Sequence, residues 1–109
     1  MDAVKESIDL SNPILIEEFC YNKINFKFRK GKYSFPILFD HTSHYYVIND
    51  DFLNVHVFAI TKKDLAEELK EQIYVLWQEY ALEKDSVLTE EAINIKKHLL
   101  ENIETSIVA

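Results

Sequence analysis

Glycine occurs once in this 109-residue chain, cysteine once and proline twice, and each scarcity removes a class of function. With Gly31 as the sole glycine, neither a phosphate-cradling loop nor a dinucleotide fingerprint can be built. Both need several closely spaced glycines so that the backbone can approach a phosphate. The Gly-x-Ser-x-Gly elbow of serine hydrolases is excluded for the same reason. Cys20 has no second cysteine to pair with, so an internal disulfide and a cysteine-rich metal site are both impossible, and Cys20 reads as a small apolar core side chain. Long apolar runs are also missing. None approaches the roughly 20 residues needed to cross a bilayer. The opening MDAVKESIDL carries acids where a signal peptide needs a basic stretch and then an apolar one. The expectation is a cytoplasmic protein that does not enter membranes.

Acidic side chains are plentiful. Nineteen acids against twelve bases give a net charge of −7, which discourages non-specific binding to nucleic acid. The excess is uneven. Residues 23–32 hold Lys23, Lys27, Arg29, Lys30 and Lys32 and no acid, so the rest of the chain carries seven bases against nineteen acids, or −12. One short basic segment sits on an otherwise acidic molecule.

Hydrophobic periodicity predicts an α+β domain of one unit: an arm over 1–12, an antiparallel β meander of four to five strands over 13–60, and a helical part over 61–105. The apolar run from Ile14 to Tyr21 suits a short helix or an edge strand, and its β-favouring neighbours tip it toward strand. Ile24, Phe26 and Phe28 alternate with polar residues, as do Tyr33, Phe35, Ile37 and Phe39 after Gly31. A glycine between two such patterns predicts a hairpin turn there. Tyr45 to Ile48 and Phe52 to Ile60 supply further strands.

The stretch Ile60 to Glu83 predicts the main helix. Thr61 and Asp64 match a capping box, and Ile60 and Leu65 are spaced for a hydrophobic staple. Leu65, Leu69, Ile73, Leu76 and Tyr80 share a face, which predicts that the long helix packs on one sheet face. Tyr74 and Ala81 extend the apolar arc beyond Trp77, so a second helix or a partner subunit is expected to cover the remainder. A second helix is predicted to open at Thr89 and carry a stripe of Ala92, Leu99, Leu100, Ile103 and Ile107, with Lys96 reaching past it.

Catalytic groupings are thin. His41 and His44 lie in a turn and could bind a metal only if a third ligand, from Asp40, Asp50 or His56, folded beside them. A polar turn is the simpler reading. Glu67, Glu68 and Glu71 fall on a solvated helix face, and no carboxylate pair is marked as desolvated. No cofactor motif is present. Phe26 and Phe28 interleave with Lys27 and Arg29, as in single-strand nucleic-acid platforms, but alternation sends the rings and the bases to opposite faces.

The order Tyr45-Tyr46-Val47-Ile48, the Asp50-Asp51 turn, Val55 to Ile60 and Thr61 to Leu65 resembles the HicB-like antitoxin family over Tyr45 to Glu83. In that family a short β meander runs into a helix opened by a threonine and acids. The usual Pro-Gly of the turn is replaced by Phe52-Leu53-Asn54, and no DNA-binding extension follows. The resemblance implies a partner-binding fold without catalysis. The sequence therefore reads as a non-enzymatic interaction module, with a homodimer expected and contacts expected from Lys27, Arg29, Lys30, Lys32, Tyr74 and Trp77. The alternatives are nucleic-acid binding through 23–32, or a small enzyme or metal protein built on His41 and His44.

Overall fold

A computed structural model describes residues 6–108. Among these residues eight strands form two antiparallel sheets, and two α-helices pack with them. The α+β class and the packing of the long helix on a sheet are as the sequence predicts. The strands are β1 (Ser7–Asp9), β2 (Ile14–Tyr21), β3 (Ile24–Phe28), β4 (Tyr33–Phe35), β5 (Leu38–Asp40), β6 (Tyr45–Asp50), β7 (Val55–Ala59) and β8 (Ile103–Ile107). Of the arm expected over 1–12, Ser7–Asp9 is a strand, and residues 1–5 lie outside the described part.

The larger sheet runs β1-β2-β3-β8, with β4 also on β2. Its hairpin is not at Gly31. The chain reverses between β2 and β3 at Asn22 and Lys23, whose φ values of 48° and 64° are those of a two-residue I′ turn. Asn tolerates that left-handed backbone better than most residues. After β3 the chain continues in the same direction along the same edge of β2. Glu18 faces Lys27 and Ile16 faces Tyr33, so Glu17 alone spans the gap that Phe28 to Lys32 cross on the other strand. Arg29 to Lys32 therefore form an excursion between β3 and β4. Gly31, at φ 90°, is the residue that permits it.

The smaller sheet runs β5-β6-β7. From β7 the chain turns into helix α1 (Lys62–Leu76). Thr61 is extended and its Oγ1 accepts the Asp64 amide at 3.0 Å, which supplies the predicted cap. The predicted staple does not form: strand alternation leaves Ile60 67% exposed, while Leu65 enters the core. Leu65, Leu69, Ile73 and Leu76 are buried against β7, β2 and β6, so α1 joins the two sheets. It continues as a π-helical turn, Trp77–Ala81.

Helix α2 (Glu90–Asn102) is capped by Thr89 Oγ1, which accepts the Ala92 amide at 3.2 Å. Lys96 does not simply reach solvent. Its ammonium donates to the Glu83 carbonyl and pairs with Asp85 at 2.8 Å, tying α2 to the end of the preceding helix. The helix stops at Asn102, so the stripe expected to continue through Ile103 and Ile107 is broken. Residues Ile103–Ile107 are instead β8, paired with the whole of β3. β3 has an open edge to fill, and Ile103 still reaches the core, fully buried.

Candidate interaction surface

The basic segment is scattered rather than clustered. Lys27 faces outward on β3, in register with Glu18 on one side and Glu104 on the other. Arg29 lies past the end of β3. Its Nε donates to the Leu100 carbonyl at 3.1 Å, and its guanidinium sits 3.6 Å from Glu104, so it serves the C-terminal end of α2, where cations are favoured. Only Lys30 and Lys32 remain on the excursion, both exposed. The cross-strand acids around Lys27 are invisible to a one-dimensional charge count.

Trp77 is a core residue, 5% exposed and edge-on to Phe26 at 6.0 Å. Tyr74 is half-buried, packs on Tyr21 at 5.1 Å and accepts the Asn22 side-chain amide at 2.7 Å. The arc that extends the main helix's apolar face is thus largely filled by β2, β3 and α2.

His41 and His44 belong to the turn between β5 and β6. Asp40 accepts the Thr42 amide at 2.9 Å and the Ser43 amide at 3.4 Å, and its carboxyl is held below the ordinary range by those bonds. His44 has φ 61° and its amide closes the turn on the Asp40 carbonyl at 2.7 Å. The imidazole of His41 packs edge-on to Phe39 at 4.9 Å. Among the described residues no group of three His, Cys, Asp or Glu side chains converges. His56 is an exposed sheet histidine bonded to Asn49 at 3.1 Å.

Two polar links are structural. The Tyr33 hydroxyl donates to Asp50 Oδ2 at 2.7 Å, joining β4 of one sheet to β6 of the other; burial, then this bond, pushes the hydroxyl's pKa well above its ordinary value. Lys70 is buried on α1, and burial pulls its pKa down. Its bonds to Glu67 at 2.9 Å and Glu6 at 3.1 Å more than offset that, leaving it raised.

Among the large apolar side chains left exposed, one group shares a face of the smaller sheet. Leu38, Val47 and Phe58 are in register across β5, β6 and β7, and therefore share its outer face. Leu38 is 65% exposed and Phe58 61%. Tyr45 packs on Phe58 at 5.1 Å, and exposed Ile60 continues the same face. Sequence reasoning named none of these residues as contacts, yet a signal was present: Val55, Val57 and Ala59 alternate with Phe58 and Ile60, so the strand is apolar on both sides.

Among the described residues, no helix is long and apolar enough to cross a membrane. No family model, curated protein or solved structure matches the chain.

Proposed function

We propose that this chain is a small non-enzymatic interaction module of the cytoplasm that binds a protein partner, a second copy of itself, or both. One observation carries the reading: the outer face of the smaller sheet presents Leu38, Phe58 and Ile60 exposed and Tyr45 and Val47 half-buried, and among the described residues no element packs over it. An apolar patch flanked on the same sheet face by Asp40, Asn49 and His56 marks an interaction surface. An apolar sheet face is also self-complementary, so the same surface supports a twofold homodimer. A HicB-like antitoxin role is the specific form that the strand, turn, strand and helix order over Tyr45 to Glu83 supports. Nucleic-acid binding through 23–32 has less support, since Lys27 stands between two glutamates and Arg29 is engaged by α2.

Sedimentation velocity over a concentration series tests the reading, comparing wild type with the double variant Leu38→Asp, Phe58→Asp. Wild type is expected to dimerise by high micromolar concentration, and the variant to remain monomeric with an unchanged circular dichroism spectrum. A monomeric wild type rejects the dimer. A partner captured equally well by both proteins rejects this face as the interface.

A further inference from the structure

We propose that the open edge of β7 accepts an extended strand from a basic partner protein, with the outward carboxylates of α1 engaging its lysines and arginines. This deepens the interaction-module reading and rests on it. β7 is the last strand of the smaller sheet. The His56 amide points away from β6 and donates to the side-chain oxygen of Gln72. In an antiparallel pair, backbone groups of alternate residues face the same way. The amide and carbonyl of Phe58 therefore also point out from the edge. Gln72 occupies the position that the carbonyl of an added strand would take, and among the described residues no loop or side chain bonds the Phe58 amide. An unpaired strand edge is a template for another chain.

Helix α1 runs back alongside this edge and makes it a groove. The larger lobe, about 410 Å³, lies between His56 and Phe58 on the strand and Glu68, Glu71 and Val75 on the helix. It shares Phe58 and Glu68 with a second lobe that reaches Ile60, Asp64 and Glu67. Four carboxylates thus line one wall. Glu67 is partnered by Lys70, but among the described residues no ion pair engages Asp64, Glu68 or Glu71. The neighbouring bases face elsewhere. Lys62 lies over the Tyr46 ring at 6.0 Å, and Lys63 lines a separate recess with Glu6 and Leu10.

Spacing and charge select the occupant. From residue 64 to residue 71 a helix rises about 10 Å, and three same-face residues of a strand span about 13 Å. An incoming strand can therefore present two or three basic side chains to the wall while its alternate side chains lie beside Phe58 on the outer face. A second copy is a poor occupant. Symmetric pairing of β7 with β7 would set the same four carboxylates of each chain against those of the other. Insertion of the Lys30–Lys32 excursion into the groove would be head-to-tail and need not close.

The test is amide NMR of the full chain titrated with a blocked eight-residue peptide of alternating valine and lysine. The expected result is shift changes concentrated at Phe58, Ile60, Glu68 and Glu71, with slowed exchange of the Phe58 amide. The exposed double change Glu68→Lys, Glu71→Lys should weaken binding at least tenfold without altering the thermal midpoint. A valine–glutamate peptide, and a valine–lysine peptide N-methylated at alternate residues, should not bind. Silence at β7 with millimolar peptide overturns the proposal. So does equal binding of the N-methylated peptide, which would indicate charge attraction alone. Concentration-dependent shifts without peptide that reach Glu68 and Glu71 and persist in Leu38→Asp would assign the edge to a second copy and overturn it as well. Leu38→Asp, on β5, should leave peptide binding intact. If that variant loses self-association while wild type ignores the peptide, the edge proposal fails and the module reading stands.

Discussion

On the outer face of the five-stranded sheet, Glu18, Lys27 and Glu104 form a row of alternating charge, followed by Cys20, Asn25 and Ser106. On the outer face of the three-stranded sheet, the comparable row is Leu38, Val47 and Phe58. Both sheets bury their other face in the same core, where Phe19, Phe26 and Phe28 of one meet Ile48 and Val57 of the other around α1. Burial alone therefore does not explain the difference, because both outer faces meet solvent. A solvated face gains from charges that pair across strands. A face that repeats large apolar groups forgoes this, which is reasonable only where another surface covers it. On the function proposed above, the larger sheet is a finished exterior and the smaller one a contact.

Phenylalanine truncation gives the sharpest test of this contrast. Phe26 is fully buried, stacked on Phe19 at 5.1 Å, so Phe26→Ala should cost about 3–5 kcal/mol in urea unfolding. Phe58→Ala, on the exposed face, should cost under about 1 kcal/mol in the isolated protein. Comparable losses would mean that the outer face of the smaller sheet belongs to the core.

The link between the sheets should give an intermediate effect. Tyr33→Phe removes a hydrogen bond to a carboxylate and should cost about 1–2 kcal/mol. Because folding raises the hydroxyl's pKa above its ordinary value of 10.0, its contribution is complete below pH 10 and is lost as pH rises further. Lys70, also raised, adds to the alkaline loss in both proteins. Wild type should consequently lose stability more steeply than Tyr33→Phe above pH 10. Parallel curves would show that the link carries no such linkage.

The smallest effect is expected at Lys27. Lys27→Glu sets three carboxylates in a row across β2, β3 and β8, with a loss of up to about 1 kcal/mol that added salt should diminish. A loss independent of salt would indicate lost packing of the lysine stem instead.

Local signals were legible in the sequence wherever the decisive partner is a near neighbour. The caps at Thr61 and Thr89, the strand from Ile14 and the buried stripe of α1 all depend on residues within a few positions. Readings failed where a distant partner decides. Ile103, Thr105 and Ile107 alternate with Glu104 and Ser106, which is a strand pattern, but it also extends the α2 stripe. Only the free edge of β3 resolves the two. Gly31 drew the hairpin to itself, although Asn22 was the better marker of a left-handed turn. The candidate surface was hardest to see, because exposure of Phe58 is a property of what fails to cover it.

The pairing of β3 with β8 has a consequence for how the protein is made. Ile24 meets Ile107, so β3 waits until the segment through Ile107 has been made before its second neighbour exists. Contacts so distant in sequence close late, because the loop entropy is lost before they form. Until then β3 is an unfinished edge carrying Phe26 and Phe28, the kind of strand that recruits other nascent chains. Lys27 stands between those two rings. Its charge would interrupt stacking by a foreign strand, so it can act as a gatekeeper during synthesis and become one rung of a charge row afterwards.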